Sequence, residues 1–311
     1  MHLYRRQLVA LLASGQHVSV KNRGIVKETQ ELLNVATVFR YPERMVHIVP
    51  GRRWNPFLAL SECLWVLAGR DDVAALTPYN KNILQFSDDG IKMAGAYGER
   101  MAGQIEDIVR RLQADPNDRR AQLLIWRVED LTTDSNDPPC NSILTFKLRN
   151  GRLHLTIYCR SNDIHWGLYA VNHSEFSFLL QYIAARLGVK VGTQTHISNS
   201  LHVYLRGPAE QITDRMLIDE EAGISLPRLP KPGPLFKGLL PHDVLIGELN
   251  QVLDGYMVQS QMPFLEFASD FLAVYRCGYK SSALGPDWVR HCETYPDWAM
   301  AGRAFMETVG R

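Results

Sequence analysis

Apolar positions along this chain follow two different periods. Residues 57–69 (FLALSECLWVLAG) are apolar almost throughout, with Glu62 as their one charge and Gly69 as a stop, the pattern of a buried helix. Residues 103–114 put Ile105, Ile108, Val109 and Leu112 on one side, an amphipathic helix ended by the turn Asp115-Pro116-Asn117-Asp118. Residues 121–126 read as a strand. Residues 142–148 and 152–159 read as two more, joined by Asn150-Gly151, a strong two-residue hairpin signal. The return strand alternates, with Leu153, Leu155, Ile157 and Cys159 on one face and His154, Thr156 and Tyr158 on the other. Residues 175–187 predict a long apolar helix before Gly188, and 189–205 a further strand region. The proline-rich stretch 226–241 predicts an extended loop, and a helix is expected from Asp243 onward. Helices interleaved with a large antiparallel hairpin predict an α+β fold. One domain is expected over 1–311, with the residues after about 225 as a divergent C-terminal extension.

Composition narrows this little. The 311 residues are 46% hydrophobic and 22% charged, with a formal net charge of +1. Nothing there suggests a nucleic-acid-coating surface, so important cations are expected to be local. No apolar run is long enough for a membrane helix. The start, Met1-His2-Leu3-Tyr4-Arg5-Arg6, has no cleavage pattern, which reads as a cytoplasmic protein. Five widely spaced cysteines without a C-x-x-C pair predict neither a disulfide framework nor a metal site.

The chemistry concentrates in a few places. Pro138-Pro139-Cys140-Asn141 stands before one strand of the hairpin, and Cys159-Arg160-Ser161-Asn162-Asp163 ends the other. Two prolines hold the approach to Cys140 stiff, and a nucleophilic thiol needs a fixed position and a nearby cation. Arg160 is placed to supply that cation, and with Ser161 it could hold a phosphate. A core cysteine is the alternative reading. Arg119-Arg120 and Arg23 suit a multidentate anion, or else a solvated turn and an ordinary surface loop. Glu62 in its apolar helix either faces a polar cavity with a raised pKa or lies on an exposed stripe. The Asn172 amide could match a pyrimidine edge, or simply cap a helix. His202 and Tyr204 share a strand face and suit two bonds to one hydroxyl, or face solvent.

In order along the chain these pieces resemble the thymidylate synthase superfamily, from about Arg23 to Tyr204. They are the arginine loop, Glu62-Cys63-Leu64-Trp65, Tyr97-Gly98, Asp118-Arg119-Arg120, Pro139-Cys140, Arg160 to Asp163, Gly167, Asn172 and His202-Val203-Tyr204. The resemblance implies a large mixed or antiparallel sheet packed with helices and a sheet-to-sheet homodimer. It implies that Cys140 adds to C6 of a pyrimidine nucleoside monophosphate, whose C5 then attacks 5,10-methylenetetrahydrofolate. Arg23, Arg160 and Ser161 would bind the phosphate, with Arg119 and Arg120 reaching it from the partner subunit. Glu62 and Tyr97 would order water and move protons. Asp163 would face the folate, Asn172 the base, and His202 with Tyr204 the sugar.

Several departures point to the hydroxymethylase branch of that superfamily. Asn141 replaces the histidine that follows the nucleophile. Ile83 and Phe86 stand where synthases have tryptophans, and the loop before Asn172 is one residue longer. The last residues, Met306 to Arg311, do not match the synthase C-terminal segment, which is therefore read as absent. A site that admits water at the exocyclic methylene gives a hydroxymethyl product, and one that excludes it gives methyl. Asn172 and Ser161 favour deoxyuridylate as substrate. The alternatives are a thymidylate synthase, a deoxycytidylate or cytidylate hydroxymethylase, and an inactive nucleotide-binding relative.

Overall fold

The computed structural model describes residues 2–22, 24–49, 51–221, 229–278 and 293–310. Its centre is a mixed sheet in the order β1-β2-β7-β5-β4-β3, with the short β6 added against β7. These strands are β1 (Gln16–Asn22), β2 (Ile25–Phe39), β3 (Gln122–Leu124), β4 (Asn141–Arg149), β5 (Arg152–Cys159), β6 (Asn162–Asp163) and β7 (Lys190–Tyr204). The β4–β5 hairpin turns at Asn150 and Gly151, both at positive φ (50° and 68°), which is why this dipeptide works there. β5 then runs parallel to β7, and the crossover between them carries β6 and a long helix.

That helix, α5 (Asn172–Arg186), packs on the sheet and on α2 (Pro56–Leu67). Asn55 caps α2 by accepting from the N–H groups of Phe57 and Leu58, and Pro56 follows at the first helical position. On the inner face of the sheet Leu144, Phe146, Leu155 and Ile157 are fully buried, the expected half of the alternation. The same buried cluster continues through α4 (Gln104–Ala114), α7 (His242–Asp254), α8 (Pro263–Cys277) and a C-terminal helix, α9 (Pro296–Val309). Phe57 of α2 stacks on Phe271 of α8 at 4.3 Å, so the helices described after residue 229 close the far side of the core.

Some expectations change. The strand expected over 121–126 shortens to β3, although Ala121 and Ile125 still bond to β4 on either side of it. The loop expected before Asn172 is helical: Ile164–Val171 form a wide π-type turn, kinked at Tyr169 (φ −98°, ψ 18°). An extra residue in a helix is absorbed in this way, and such turns often mark functional sites. α1 (His2–Ser14), α3 (Tyr97–Met101), α6 (Pro208–Glu221) and the β1–β2 pair have no counterpart in the sequence reading.

Candidate functional site

Cys140 stands directly before β4 in a segment pinned at several points. Gly95 N–H donates to the Asp137 carboxylate at 2.8 Å. Arg160 donates from Nε to the Pro139 carbonyl (3.0 Å) and from Nη2 to the Pro138 carbonyl (3.1 Å), and its backbone N–H donates to the Cys140 carbonyl (2.8 Å). The predicted cation is thus held against the loop of the predicted nucleophile. The Cys140 thiol is half-buried. A register shift between Asn141 and Ile143 in the β4–β5 pairing inserts Ser142, a bulge at the start of β4 directly after Cys140.

Behind Cys140 runs a chain of buried amides. Asn141 Nδ2 donates to Tyr97 Oη (2.9 Å) and to Asn172 Oδ1 (3.1 Å). Asn172 Nδ2 donates to Asn162 Oδ1 (3.0 Å), and Asn162 Nδ2 donates to Ser198 Oγ (3.0 Å). Asn141, Asn162 and Ser198 are at most 1% exposed and Asn172 is 5% exposed. Asn172 is therefore no cap: its backbone is helical and its N–H donates to the Gly167 carbonyl across the π-type turn. Gly167 is needed there, because a Cβ would stand 2.6 Å from Asn162 Oδ1. Gly98 answers a similar constraint, since a Cβ would meet the Val66 carbonyl of α2 at 2.3 Å. That close approach brings Tyr97, at the start of α3, next to the chain. Sequence reasoning reached Asn141, Tyr97 and Asn172 but missed Asn162 and Ser198; an asparagine between Ser161 and Asp163 was the available signal.

Two carboxylates face this region from the helices. Glu62 on α2 has one buried oxygen without a hydrogen-bond partner among the described residues, and so has Glu175 on α5. Burial pushes the Glu62 carboxyl up to about 8. Glu175 is pushed well above the usual carboxylate range, by burial first and by the Glu62 charge second. Burial raises the Tyr97 hydroxyl too, reinforced by the charges of Cys140 and Glu175. Glu62 therefore has the environment that favours proton transfer near neutrality rather than a permanent charge. Glu175 was missed, and its signal was a carboxylate at the head of an otherwise apolar helix.

The remaining candidates divide. Asp163 Oδ1 caps the π-type turn, accepting from His165 N–H (2.6 Å) and Trp166 N–H (3.0 Å). β6 pairs Asp163 with His202 on β7. His202 is buried, its ring 5.2 Å from that of Tyr204, and burial lowers its pKa, so the pair does not simply face solvent. Ser161 follows Arg160 and is half-buried. Arg119 and Arg120 are exposed at the far end of β4. Arg120 is paired with Asp118, and the Arg119 carbonyl accepts from Lys147 Nζ at 3.0 Å. Seven residues of strand put them roughly 20 Å from Cys140 of the same chain. Arg23 lies outside the described residues. Ile83 is buried in the core and Phe86 half-buried, both on the short helix Lys81–Phe86.

Beyond Asp163 opens a cavity of about 630 Å³, lined by Arg52, Arg53, Trp54, Trp166, Phe305 and Thr308 among others. Arg52 is buried and spent on structure, donating to the carbonyls of His47, His165 and Tyr169. Arg53 is exposed at the rim. The sequence reading gave none of the cavity's residues a binding role, though Trp166 lies in the loop it placed before Asn172 and Thr308 in the C-terminal segment it compared. Among the described residues there is no cluster of His, Cys, Asp or Glu suited to a metal ion, and no helix long and apolar enough to cross a membrane.

Comparison with known proteins agrees with this arrangement. The chain is 38% identical over 252 residues to a deoxyuridylate hydroxymethyltransferase of Bacillus phage SP01, covering 74% of this chain and 65% of that one. It is 37% identical over 177 residues to the deoxyuridylate hydroxymethyltransferase of Pseudomonas phage M6, covering 55% and 50%. It is also 32% identical over 195 residues to the thymidylate synthase of Symbiobacterium thermophilum, covering 56% and 64%. The chain thus spans about half to two thirds of the length of these relatives. The thymidylate synthase family model matches residues 2–229. With that match over most of its length and this sheet carrying Cys140 and Arg160 at one end, the chain belongs to the thymidylate synthase family.

Proposed function

We propose that this protein transfers a one-carbon unit from 5,10-methylenetetrahydrofolate to C5 of a pyrimidine nucleoside monophosphate, with deoxyuridylate as substrate and a hydroxymethyl product. The observation that carries the reading is the Asn141 amide, which stands beside Cys140 and is tied to both Tyr97 and Asn172. In this reading Cys140 adds as a thiolate to C6, which makes C5 nucleophilic. C5 would bond to the one-carbon unit as one of its two bonds to folate nitrogen breaks, and loss of the C5 proton would expel tetrahydrofolate from the other, leaving an exocyclic methylene. Water then adds at the exocyclic methylene as the thiolate leaves. Asn141 and Tyr97 hold that water, and Glu62 exchanges its proton with it. Arg160 and Ser161, with Arg23, bind the phosphate, Asn172 the base, and His202 with Tyr204 the sugar.

The folate suits the cavity beyond Asp163. Trp54, Trp166 and Phe305 offer faces for a flat ring system, and Arg53 at the rim offers a cation for a carboxylate tail. Two phage relatives named deoxyuridylate hydroxymethyltransferase support the hydroxymethyl outcome. The Symbiobacterium relative, named thymidylate synthase, keeps reductive methylation as the second reading. Incubation with methylenetetrahydrofolate and each of deoxyuridylate, deoxycytidylate and cytidylate, followed by mass spectrometry, decides between them. Hydroxymethyldeoxyuridylate without dihydrofolate is expected; a methyl product with dihydrofolate would establish the synthase.

The active unit in this reading is a homodimer joined through the outer face of the sheet. Arg119 and Arg120 sit too far along β4 to reach a phosphate at Cys140 of their own chain, and exposed Leu33, Tyr158 and Leu124 lie on strands of that sheet. Mixing inactive Arg119→Ala and Cys140→Ala proteins should restore part of the activity. No recovery despite measured subunit exchange would count against the shared site. The same reading makes the protein a cytoplasmic enzyme with a C-terminal extension after about residue 225.

A further inference from the structure

Each amide in the chain from Tyr97 to Ser198 donates in the same sense, so their orientations are linked. Turning Asn172 alone would set its amino group against that of Asn141 and its oxygen against Asn162 Oδ1. Two buried hydrogen bonds, at 3.1 and 3.0 Å, would become two repulsions. Asn162 is in turn held by Ser198 through a 3.0 Å bond, and its backbone is held by the pairing of β6 with β7. Gly167 leaves the space the Asn162–Asn172 pair occupies. The chain uses one of the two amide hydrogens of Asn172 and one of its two oxygen lone pairs, leaving one donor and one acceptor whose places are fixed.

Uracil and cytosine differ in this respect. Uracil offers a donor at N3 and an acceptor at position 4, whereas cytosine offers an acceptor at N3 and a donor at position 4. An amide that cannot turn matches one of them, and an amide free to turn matches both. We infer that Asn162 and Ser198, neither of them adjacent to the nucleophile, are positioning residues that set the base preference by locking the orientation of the Asn172 amide. The inference rests on the nucleotide reading above and adds to it a source of specificity on β6 and β7.

The test compares the full-length protein with Asn162→Ala, Ser198→Ala, Asn162→Asp and Asn162→Leu. Binding of deoxyuridylate and deoxycytidylate is measured by calorimetry, and kcat/KM for both under turnover with methylenetetrahydrofolate. Asn162→Ala and Ser198→Ala should lower the preference between the two bases by about tenfold, the equivalent of one hydrogen bond, with binding of the favoured base less affected than the ratio. Asn162→Asp should keep the preference of the unsubstituted protein, because a carboxyl oxygen still accepts from Asn172 and Ser198 can donate to it. Asn162→Leu keeps the volume without the hydrogen bonds, so a packing role alone would leave its base preference intact, whereas loss of the lock lowers it as in the alanine variants. An unchanged ratio in both alanine variants, with melting temperatures showing that they fold, would overturn the lock while leaving the nucleotide reading in place. Failure of the unsubstituted protein to bind either nucleotide would overturn the reading and the lock together.

Discussion

Two buried polar clusters lie side by side on the same two elements and behave in opposite ways. Asn172 on α5 and Ser198 on β7 belong to the amide chain. His173, one residue on, and His196, two residues back, belong to a cluster with His47 and Gln194. His47 Nε2 is 2.8 Å from His173 Nδ1, Gln194 Nε2 is 2.9 Å from His196 Nε2, and the His173 ring stacks on Phe39 at 3.9 Å. The amide chain is neutral and directional, and it ends on Tyr97 and Asn141, the residue that follows Cys140. The histidines are titratable and enclosed. Burial alone drives His196 down to about 3; burial first, with neighbouring charges adding to the fall, drives His47 to about 3 and His173 well below its usual value. Burial of polar groups is thus no mark of function by itself. What separates the clusters is where they lead: one ends at Asn141, next to Cys140 in the chain, the other in packed aromatic rings.

Removing the member of each cluster that sits on α5 gives the sharpest contrast. Asn172→Ala strands a donor on Asn141 and an acceptor on Asn162, so turnover of deoxyuridylate should fall by about 10²-fold or more, with stability lower by about 2 kcal/mol. Steady-state kinetics beside denaturant unfolding would measure both; turnover within a few-fold of the unsubstituted protein would remove Asn172 from the site.

Gly167→Ala attacks the same chain through space alone. Its Cβ would stand 2.6 Å from Asn162 Oδ1 and 3.5 Å from Asn172 Nδ2, so the amide pair must part. The expected cost is about 1–3 kcal/mol of stability. Base preference should loosen in the same variant, because the lock opens without loss of any of its members. A lower melting temperature with an intact preference would mean that the chain tolerates the displacement.

The histidine cluster should respond to pH instead. All three histidines are held neutral in the fold but charge in the unfolded chain near pH 6.5. Between that pH and their depressed native values the unfolded state binds more protons, so stability rises with pH and is lost as pH falls below about 6.5. His173→Phe keeps a ring on Phe39 and removes one proton from the difference. The slope of stability against pH between 4.5 and 6 should fall by up to ~1.4 kcal/mol per pH unit, with turnover at pH 7.5 changed by no more than about threefold. Urea unfolding across that range would show it.

The sequence made some of these features plain and hid others for physical reasons. α2, α5, the β4–β5 hairpin and β7 have clean periodicity or an Asn-Gly turn, so both their kind and their place were readable. The β1–β2 pair was not, because its face alternation is blurred by charged residues such as Lys27, Glu28 and Glu31. Residues 166–172 read as a loop because the π-type turn that holds most of them carries one residue too many for a 3.6 period. Cys140 beside Arg160 was legible because a hairpin must bring its two ends together. The partnership of Asn162 with Ser198 was not, because thirty-six residues and a parallel crossover separate them. Glu175 was hidden by its place at a helix start, where a carboxylate is ordinary.

Glu175 gives the smallest expected effect, and it separates support from chemistry within the site itself. Burial and the Glu62 charge both favour its neutral form. Glutamine has the same shape and no proton to lose. Glu175→Gln should therefore keep kcat on deoxyuridylate within about threefold. Its stability should also depend less on pH. Above about pH 4.5 the unfolded chain has lost the Glu175 proton and the native state keeps it, so stability falls as pH rises. Without the carboxyl, that decline between pH 5 and 7 should be flatter by up to ~1.4 kcal/mol per pH unit. Glu62 stays in place in this variant, so its own titration should still shape the pH–rate profile. A loss of turnover beyond 10²-fold, with the fold intact, would mean that Glu175 ionises during the reaction, and α5 would then supply a working group as well as the orientation of Asn172.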